Sequence, residues 1–389
     1  MHYIRFLKPP RLQRGGSASQ LTAKITLTTD LGESFLWADI RLVVELVGVD
    51  GKTNLLAGGK EYLWKGSEGM RSLEVSLPIP ISKGRGKAAG IHSVRMLVRP
   101  VSVIQAVDTS AAVLGAGDGG LMAVRSMAVD TNPPQNASTV PSASLAERVI
   151  NIGKSQLHIW EETGESIARH IWDAGLVLSS YLTSISNPSS ECPSLSEKLP
   201  KLPALQNALT QNDIHVLELG AGCGVVGITV SHAFPNISQI ILTDLPEATE
   251  ILSHNLSPSI LKPLLSQTHA KITQQVLDWS SPLPPNIKDT KWQLVVVADC
   301  TYNPDVVPDL VNTLRRIAEG NRDLLVLLAM KVRHESEMVF FDLMEKGGFA
   351  VREKCILPLP VSGAEVGEEI EIYVFETGAG EQNEHGNVP

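Results

Sequence analysis

The chain has 389 residues, long enough for two ordinary domains, and its 43% hydrophobic and 19% charged residues give a globular balance rather than a disordered one. Lys and Arg total 33 against 42 Asp and Glu, and the resulting net charge of −9 argues against general binding to phosphate backbones. Cys192, Cys223, Cys300 and Cys355 lie far apart, which speaks against a disulfide framework or a zinc site and suits a reducing compartment. No apolar run approaches the roughly 20 residues that a bilayer span needs.

Along the chain, the first 29 residues carry Arg5, Lys8, Arg11, Arg14 and Lys24 but no acid, a composition that transit peptides share. Pro9 and Pro10 would break the amphipathic helix such a peptide needs, so a soluble cytoplasmic or nuclear protein is expected ahead of a mitochondrial one. Short β patterns follow over 23–28, 40–47, 73–77 and 93–98, with a hairpin signal at Val49-Asp-Gly-Lys52. Residues 1 to about 100 thus read as a β-rich module without recognisable chemistry. Only four of the 44 residues from Val101 to Ser144 are charged, and the end of the stretch is rich in Pro, Asn and Ser, so 101–145 reads as a linker. An amphipathic helix is expected over 165–182, carrying Trp172-Asp173. Six serines and four prolines in 184–212 mark a surface insertion.

From there strands and helices alternate. Strands are expected over 214–219, 238–243, 270–276, 292–298 and 323–330, with helices over 224–233, 246–256, 305–319 and 334–346 between them. This is the pattern of a Rossmann-like, doubly wound parallel α/β sheet, which binds ligands at the carboxyl ends of its strands. Two last strands, 349–355 and 369–375, have no helix between them and must close the sheet as an antiparallel hairpin. The domain is expected over 146–376, with a disordered tail at 377–389.

The strand ends carry the chemistry. Glu218-Leu-Gly-Ala-Gly-Cys-Gly224 places Gly220, Gly222 and Gly224 where a strand turns into a helix, so that a ligand can approach the backbone and meet unpaired N–H groups. The overlapping Gly222-Cys-Gly-Val-Val-Gly227 also satisfies a dinucleotide fingerprint. Asp244, 20 residues after Gly224, can accept from both hydroxyls of an adenosine ribose, or cap the helix that follows. Asp278 and Trp279 suit an adenine, one accepting from its amine and the other walling it, or form a loop cap with a packed ring. Asp299-Cys-Thr-Tyr302 sets a carboxylate and a phenol three residues apart at the end of the fourth strand.

As an ordered set, these pieces and Ile171-Trp-Asp-Ala-Gly-Leu-Val-Leu178 resemble the class I, seven-β-strand S-adenosylmethionine-dependent methyltransferases. More narrowly they resemble the lysine-methyltransferase group (methyltransferase family 16) marked by Asp-x-x-Tyr. The resemblance covers roughly residues 150–376. It implies that Glu218, Gly220 and Gly222 line the methionine end of the cofactor, Asp244 holds its ribose, Asp278 and Trp279 its adenine, and Trp172 closes the pocket. Asp299 and Tyr302 would border the substrate channel, with Asp299 capturing the incoming amine. The implied substrate is a protein lysine; another acceptor, an NAD-linked oxidoreductase and a non-catalytic adaptor are the competing readings. A lysine with a pKa near 10.4 must lose its proton first, at a cost of about 4.6 kcal/mol at pH 7.

Overall fold

The fold is given by a computed structural model, which describes residues 1–14, 19–49, 55–79, 93–115, 119–131, 145–164, 167–186, 197–264, 270–360 and 367–378. Strand β1 (His2–Arg14) pairs antiparallel with β2 (Ser19–Thr28), and the register slips between Lys8 and Arg11, where Pro9 and Pro10 have no N–H to give the ladder. Strands β3 (Asp39–Gly48), β4 (Leu55–Lys65), β5 (Leu73–Pro78) and β6 (Ser93–Pro100) follow. Next come the short helix α1 (Ser110–Val113), strands β7 (Leu121–Met122), β8 (Val124–Ser126) and β9 (Val129–Asp130), and the hairpin β10 (Leu145–Ile152) and β11 (Ser155–Glu162).

These strands make two sheets, in the orders β5-β2-β1-β7 and β11-β10-β8-β6-β3-β4, with β9 beside β6. Ile4, Phe6, Leu21, Ile25 and Leu27 of the first share a core with Leu42, Val44, Trp64, Met96 and Val98 of the second. The buried Trp64 indole satisfies its N–H by donating to the Leu36 carbonyl at 2.8 Å.

Here the structure departs from the linker expected over 101–145. Its described part carries α1 and β7 to β9, and Val107, Val113, Leu121, Met122 and Val124 are buried. The stretch lacks charge because it is core, not because it is a spacer. Residues 132–144 and the Asp-Gly turn expected at 50–51 lie outside the described residues. Residues 146–162 complete the second N-terminal sheet as β10 and β11, rather than opening the sheet that follows.

Helix α2 (Asp173–Ser186) starts later than the pattern suggested, because a 3-10 turn at Ile167–Arg169 precedes it. Of the insertion expected over 184–212, residues 187–196 lie outside the described residues, and α3 (Pro203–Leu209) is anchored by Glu353, which accepts from the backbone N–H groups of Ala204 and Leu205.

The third sheet follows the expected alternation. It comprises β12 (Ile214–Leu219), α4 (Val225–Ala233), β13 (Ile237–Asp244), α5 (Thr249–Asn255), α6 (Pro258–Leu264), β14 (Lys271–Val276), α7 (Pro285–Lys288), β15 (Leu294–Ala298), α8 (Val307–Ala318), β16 (Leu325–Met330), α9 (Val339–Lys346), β17 (Phe349–Pro358) and β18 (Glu369–Thr377). The strand order is β14-β13-β12-β15-β16-β18-β17, parallel except at β18, which pairs antiparallel with both β16 and β17 as the helix-free connection required. Thr377 belongs to β18, and residues 379–389 lie outside the described residues.

Successive strand residues feed opposite faces. Val216, Ile240, Val296 and Leu327 pack with Leu178 of α2 and Val226 of α4, whereas Leu217, Ile241, Val295 and Val326 pack with Leu314 of α8 and Phe340 of α9. The first of these cores continues without a break into Tyr3, Ile150, Ile159 and Trp160 of the N-terminal half.

Candidate active site

Order along the sheet reverses between β12 and β15, so a crevice opens at their carboxyl ends. On one side stands the glycine loop. Gly220, Gly222 and Gly224 have φ of +68°, +54° and +78°, a region that L side chains rarely adopt. A side chain at Gly220 would also run into the Cys300 thiol, and one at Gly222 would come within 3.2 Å of the Ala168 carbonyl. Segment 168–172 therefore lies over this loop.

Asp244, at the end of β13, is tied to the same loop. Its Oδ2 accepts from Gly222 N at 2.7 Å and its Oδ1 from Leu245 N at 2.7 Å. The 3-10 turn that follows, Pro246–Ala248, is not capped by a side chain, so Asp244 is not the helix cap that the sequence also allowed. Burial pushes its pKa up, while the two N–H groups pull the other way. Glu218 is more deeply buried. Its Oε2 accepts from Gly227 N at 2.8 Å, and among the described residues no cation pairs with it; burial raises its pKa to about 8.

Asp278 is exposed, and its Oδ1 accepts from the Ser280 hydroxyl and backbone N–H, hydrogen bonds that lower its pKa. It is thus a loop cap through that one oxygen. Trp279 is half-buried with its ring against Gly220, and its carbonyl accepts from Thr313 and Arg316.

Asp299 faces the crevice from the end of β15. Its φ of +59° is unusual outside glycine, and a bond from its N–H to the Ala329 carbonyl at 2.8 Å holds the turn. Asp299 is buried, and its carboxylate is gripped by both arms of Arg333: Nη1 to Oδ1 and Nη2 to Oδ2, each at 2.8 Å. It is therefore not the open carboxylate that capture of an ammonium would need. Tyr302 stands at the rim, 50% exposed.

The Arg333 guanidinium also lies 5.4 Å from the centre of the Trp172 ring, so Trp172 and Asp299 meet through it. Arg333, Lys331 and Asp30 were not singled out in the sequence, and Asp173 was named there only as the neighbour of Trp172. The first two follow β16, and their position just past the carboxyl end of a fully buried strand was the available signal. Asp30 offered none, because it comes from the N-terminal half. Lys331 Nζ lies 3.3 Å from Asp30, 3.1 Å from Asp173 and 2.7 Å from Glu368. Burial works against this ammonium, but the carboxylates outweigh it and raise its pKa. Beyond the network, a cavity of about 780 Å³ is lined by Arg5, Asp30, Phe35, Arg71, His170 and Trp172.

Among the described residues, no cluster of His, Cys, Asp and Glu could hold a metal ion, and no helix is long and apolar enough to cross a membrane.

A Rossmann-like seven-stranded sheet closed by an antiparallel hairpin, with glycine loop and acids at the switch of strand order, defines the methyltransferase class. Residues 151–347 match the lysine methyltransferase family, and the chain belongs to it. It is 31% identical over 180 residues to a UPF0665 family protein of Schizosaccharomyces pombe, a match covering 46% of this chain and 47% of that one. It is 27% identical over 203 residues to the protein N-lysine methyltransferase METTL21A of Mus musculus, covering 52% of this chain and 76% of that one. It is 29% identical over 183 residues to the protein-lysine N-methyltransferase rrg1 of S. pombe, covering 46% and 54%. The chain thus spans about half the length of two of these relatives.

Proposed function

We propose that the protein transfers methyl groups from S-adenosylmethionine to a lysine side chain of a protein substrate. The observation that carries this reading is Glu218, a buried carboxylate that pairs with no cation among the described residues and stands beside a glycine loop that Asp244 ties down. Such a carboxylate suits a positively charged ligand, and relatives in the same family are named for lysine methylation. Bound there, S-adenosylmethionine supplies an electrophilic methyl group on a cationic sulfur. In this reading Glu218, Gly220 and Gly222 line the methionine end, Asp244 the ribose, Asp278 and Trp279 the adenine, and Trp172 closes the pocket.

The pairing of Asp299 changes its proposed role. An isolated carboxylate would favour the ammonium form of lysine and hinder loss of its proton. With its charge balanced by Arg333, Asp299 accepts an N–H from a neutral amine without holding the amine protonated, and the guanidinium disfavours a second cation nearby. Tyr302 offers its hydroxyl at the exposed rim. The chain's contribution is then mainly to orient the amine and keep it neutral. The buried thiols of Cys223, Cys300 and Cys355 fit a cytoplasmic or nuclear setting.

Transfer of labelled methyl groups into a cell extract tests the reading. A protein band is expected, with the label on lysine after hydrolysis, and Asp244→Ala and Asp299→Ala should each weaken it by about tenfold or more. Label confined to small molecules, nucleic acid or another side chain would overturn the lysine assignment.

A further inference from the structure

We infer that Asp30, contributed by the N-terminal sandwich, is a positioning residue of the methyl-transfer site that acts through Arg333 on Asp299 and Trp172. The inference rests on the function proposed above and assigns a part in it to the half of the chain that lies outside the family match.

Asp30 follows β2, and its side chain is fully enclosed. Each of its oxygens is committed. Oδ1 accepts from Leu31 N at 3.0 Å and from Lys331 Nζ at 3.3 Å; Oδ2 accepts from Arg333 Nη2 at 2.8 Å and from Asp173 N at 3.4 Å. Asp173 directly follows Trp172, so one carboxylate holds both the backbone beside that ring and the guanidinium stacked over it.

Arg333 is equally constrained. Nη1 donates to Asp299 Oδ1 and, at 3.4 Å, to the Lys331 carbonyl, while Nη2 is shared between Asp299 and Asp30. The fork is planar and rigid, so fixing its outer edge fixes the edge that meets Asp299. Without Asp30 the guanidinium keeps Asp299 but loses its anchor on the far side, and Asp299 and Trp172 lose their common reference. Burial opposes the charge on Asp30, yet Lys331 and Arg333 outweigh it and lower its pKa, so the anchor is ionised at neutral pH.

Asp30→Asn keeps the shape and removes the charge. In the whole chain we expect kcat for protein methylation to fall about tenfold or more, and the Kd for S-adenosylhomocysteine to rise by a smaller factor because Trp172 closes that pocket. Asp30→Glu keeps the charge but lengthens the arm, and covers the case in which neutralisation unfolds the chain; it too should lower kcat. Glu376→Gln serves as a control, because Glu376 pairs with the exposed Arg352 and not with Arg333 or Lys331, and its kcat should stay at the wild-type value. A double-mutant cycle with Arg333→Lys separates positioning from simple support. If Asp30 acts through Arg333, adding Asp30→Asn to Arg333→Lys changes kcat little further. Fully multiplicative losses, or wild-type kcat in a folded Asp30 variant, would overturn the inference. Failure of the underlying reading looks different: wild type itself would methylate no protein lysine, and the positioning role in that reaction would fall with it.

Discussion

Glu218 is a carboxylate held where water cannot reach it easily, with burial raising its pKa to about 8. The folded chain therefore keeps a proton there that the unfolded chain gives up at about pH 4.5, so this group removes stability as pH rises between those two values. A cation placed beside it favours the ionised form. Binding of S-adenosylmethionine should then expel a proton, and affinity should rise from about pH 6 to about pH 8.5. Calorimetry in buffers of different ionisation enthalpy would register the release, and Glu218→Gln should abolish that part of it. An identical proton count in wild type and variant would show that Glu218 does not face the cationic part of the ligand. Glu218, Asp244 and the glycines were legible in the sequence because each stands at the end of an obvious strand. Arg333 was not, since an arginine after a strand is commonplace until its partners, Asp299 and Asp30, are brought to it from 34 and 303 residues away.

Among the elements, α5 carries a device that joins the two halves of the chain. Asn255 is fully buried; its Oδ1 accepts from Trp160 N at 2.9 Å, and its amide donates to the Trp160 carbonyl at 2.9 Å and to the Cys223 carbonyl at 2.8 Å. It thus pairs with β11 as a strand would and braces the glycine loop from beneath. Asn255→Ala leaves Trp160 N and two carbonyls without partners and should cost about 2–4 kcal/mol by chemical denaturation. Cofactor affinity should also fall, because the Cys223 carbonyl is released; a loss of stability alone would mean that the loop holds its shape without this brace. The central strands of the third sheet, β12, β13, β15 and β16, were legible because they are short, largely buried runs between helical patterns. Strand β1 was hidden by Pro9 and Pro10, and β10 and β11 by the charged residues that interrupt their apolar ones, among them Arg148 and Glu161, whose burial only the assembled sheets reveal.

That pair bears on how the whole molecule holds together. Arg148 of β10 and Glu161 of β11 lie diagonally across neighbouring strands of the second N-terminal sheet, both sealed from solvent, with Arg148 Nε donating to Glu161 Oε1 at 2.7 Å and Nη1 to the Ala123 carbonyl at 2.8 Å. Glu161 Oε2 reaches out of the sheet to accept from Ile171 N at 3.0 Å, just before Trp172, and the His170 ring lies 3.8 Å away. The carboxylate thereby fixes the segment that covers the glycine loop. Burial opposes its charge, but Arg148 and His170 outweigh burial and hold its pKa well below the usual carboxylate range. Asp30 and Glu147, also N-terminal, are shifted the same way. Groups of this sign contribute stability that is complete above the unfolded pKa near 4.5 and disappears as pH falls through the folded value. Acid should therefore loosen the N-terminal sandwich and, with it, the cover over the cofactor loop. Glu161→Gln strands Arg148 without a counter-charge and should cost about 3–5 kcal/mol at pH 7. Below about pH 4.5 the wild type begins to lose the same advantage, so the gap should narrow by about 1.4 kcal/mol for each further pH unit. Denaturation curves for both proteins at pH 7 and near pH 3.5 measure it, and a gap that stays constant would mean that the Arg148–Glu161 pair keeps no depressed carboxylate in the folded state.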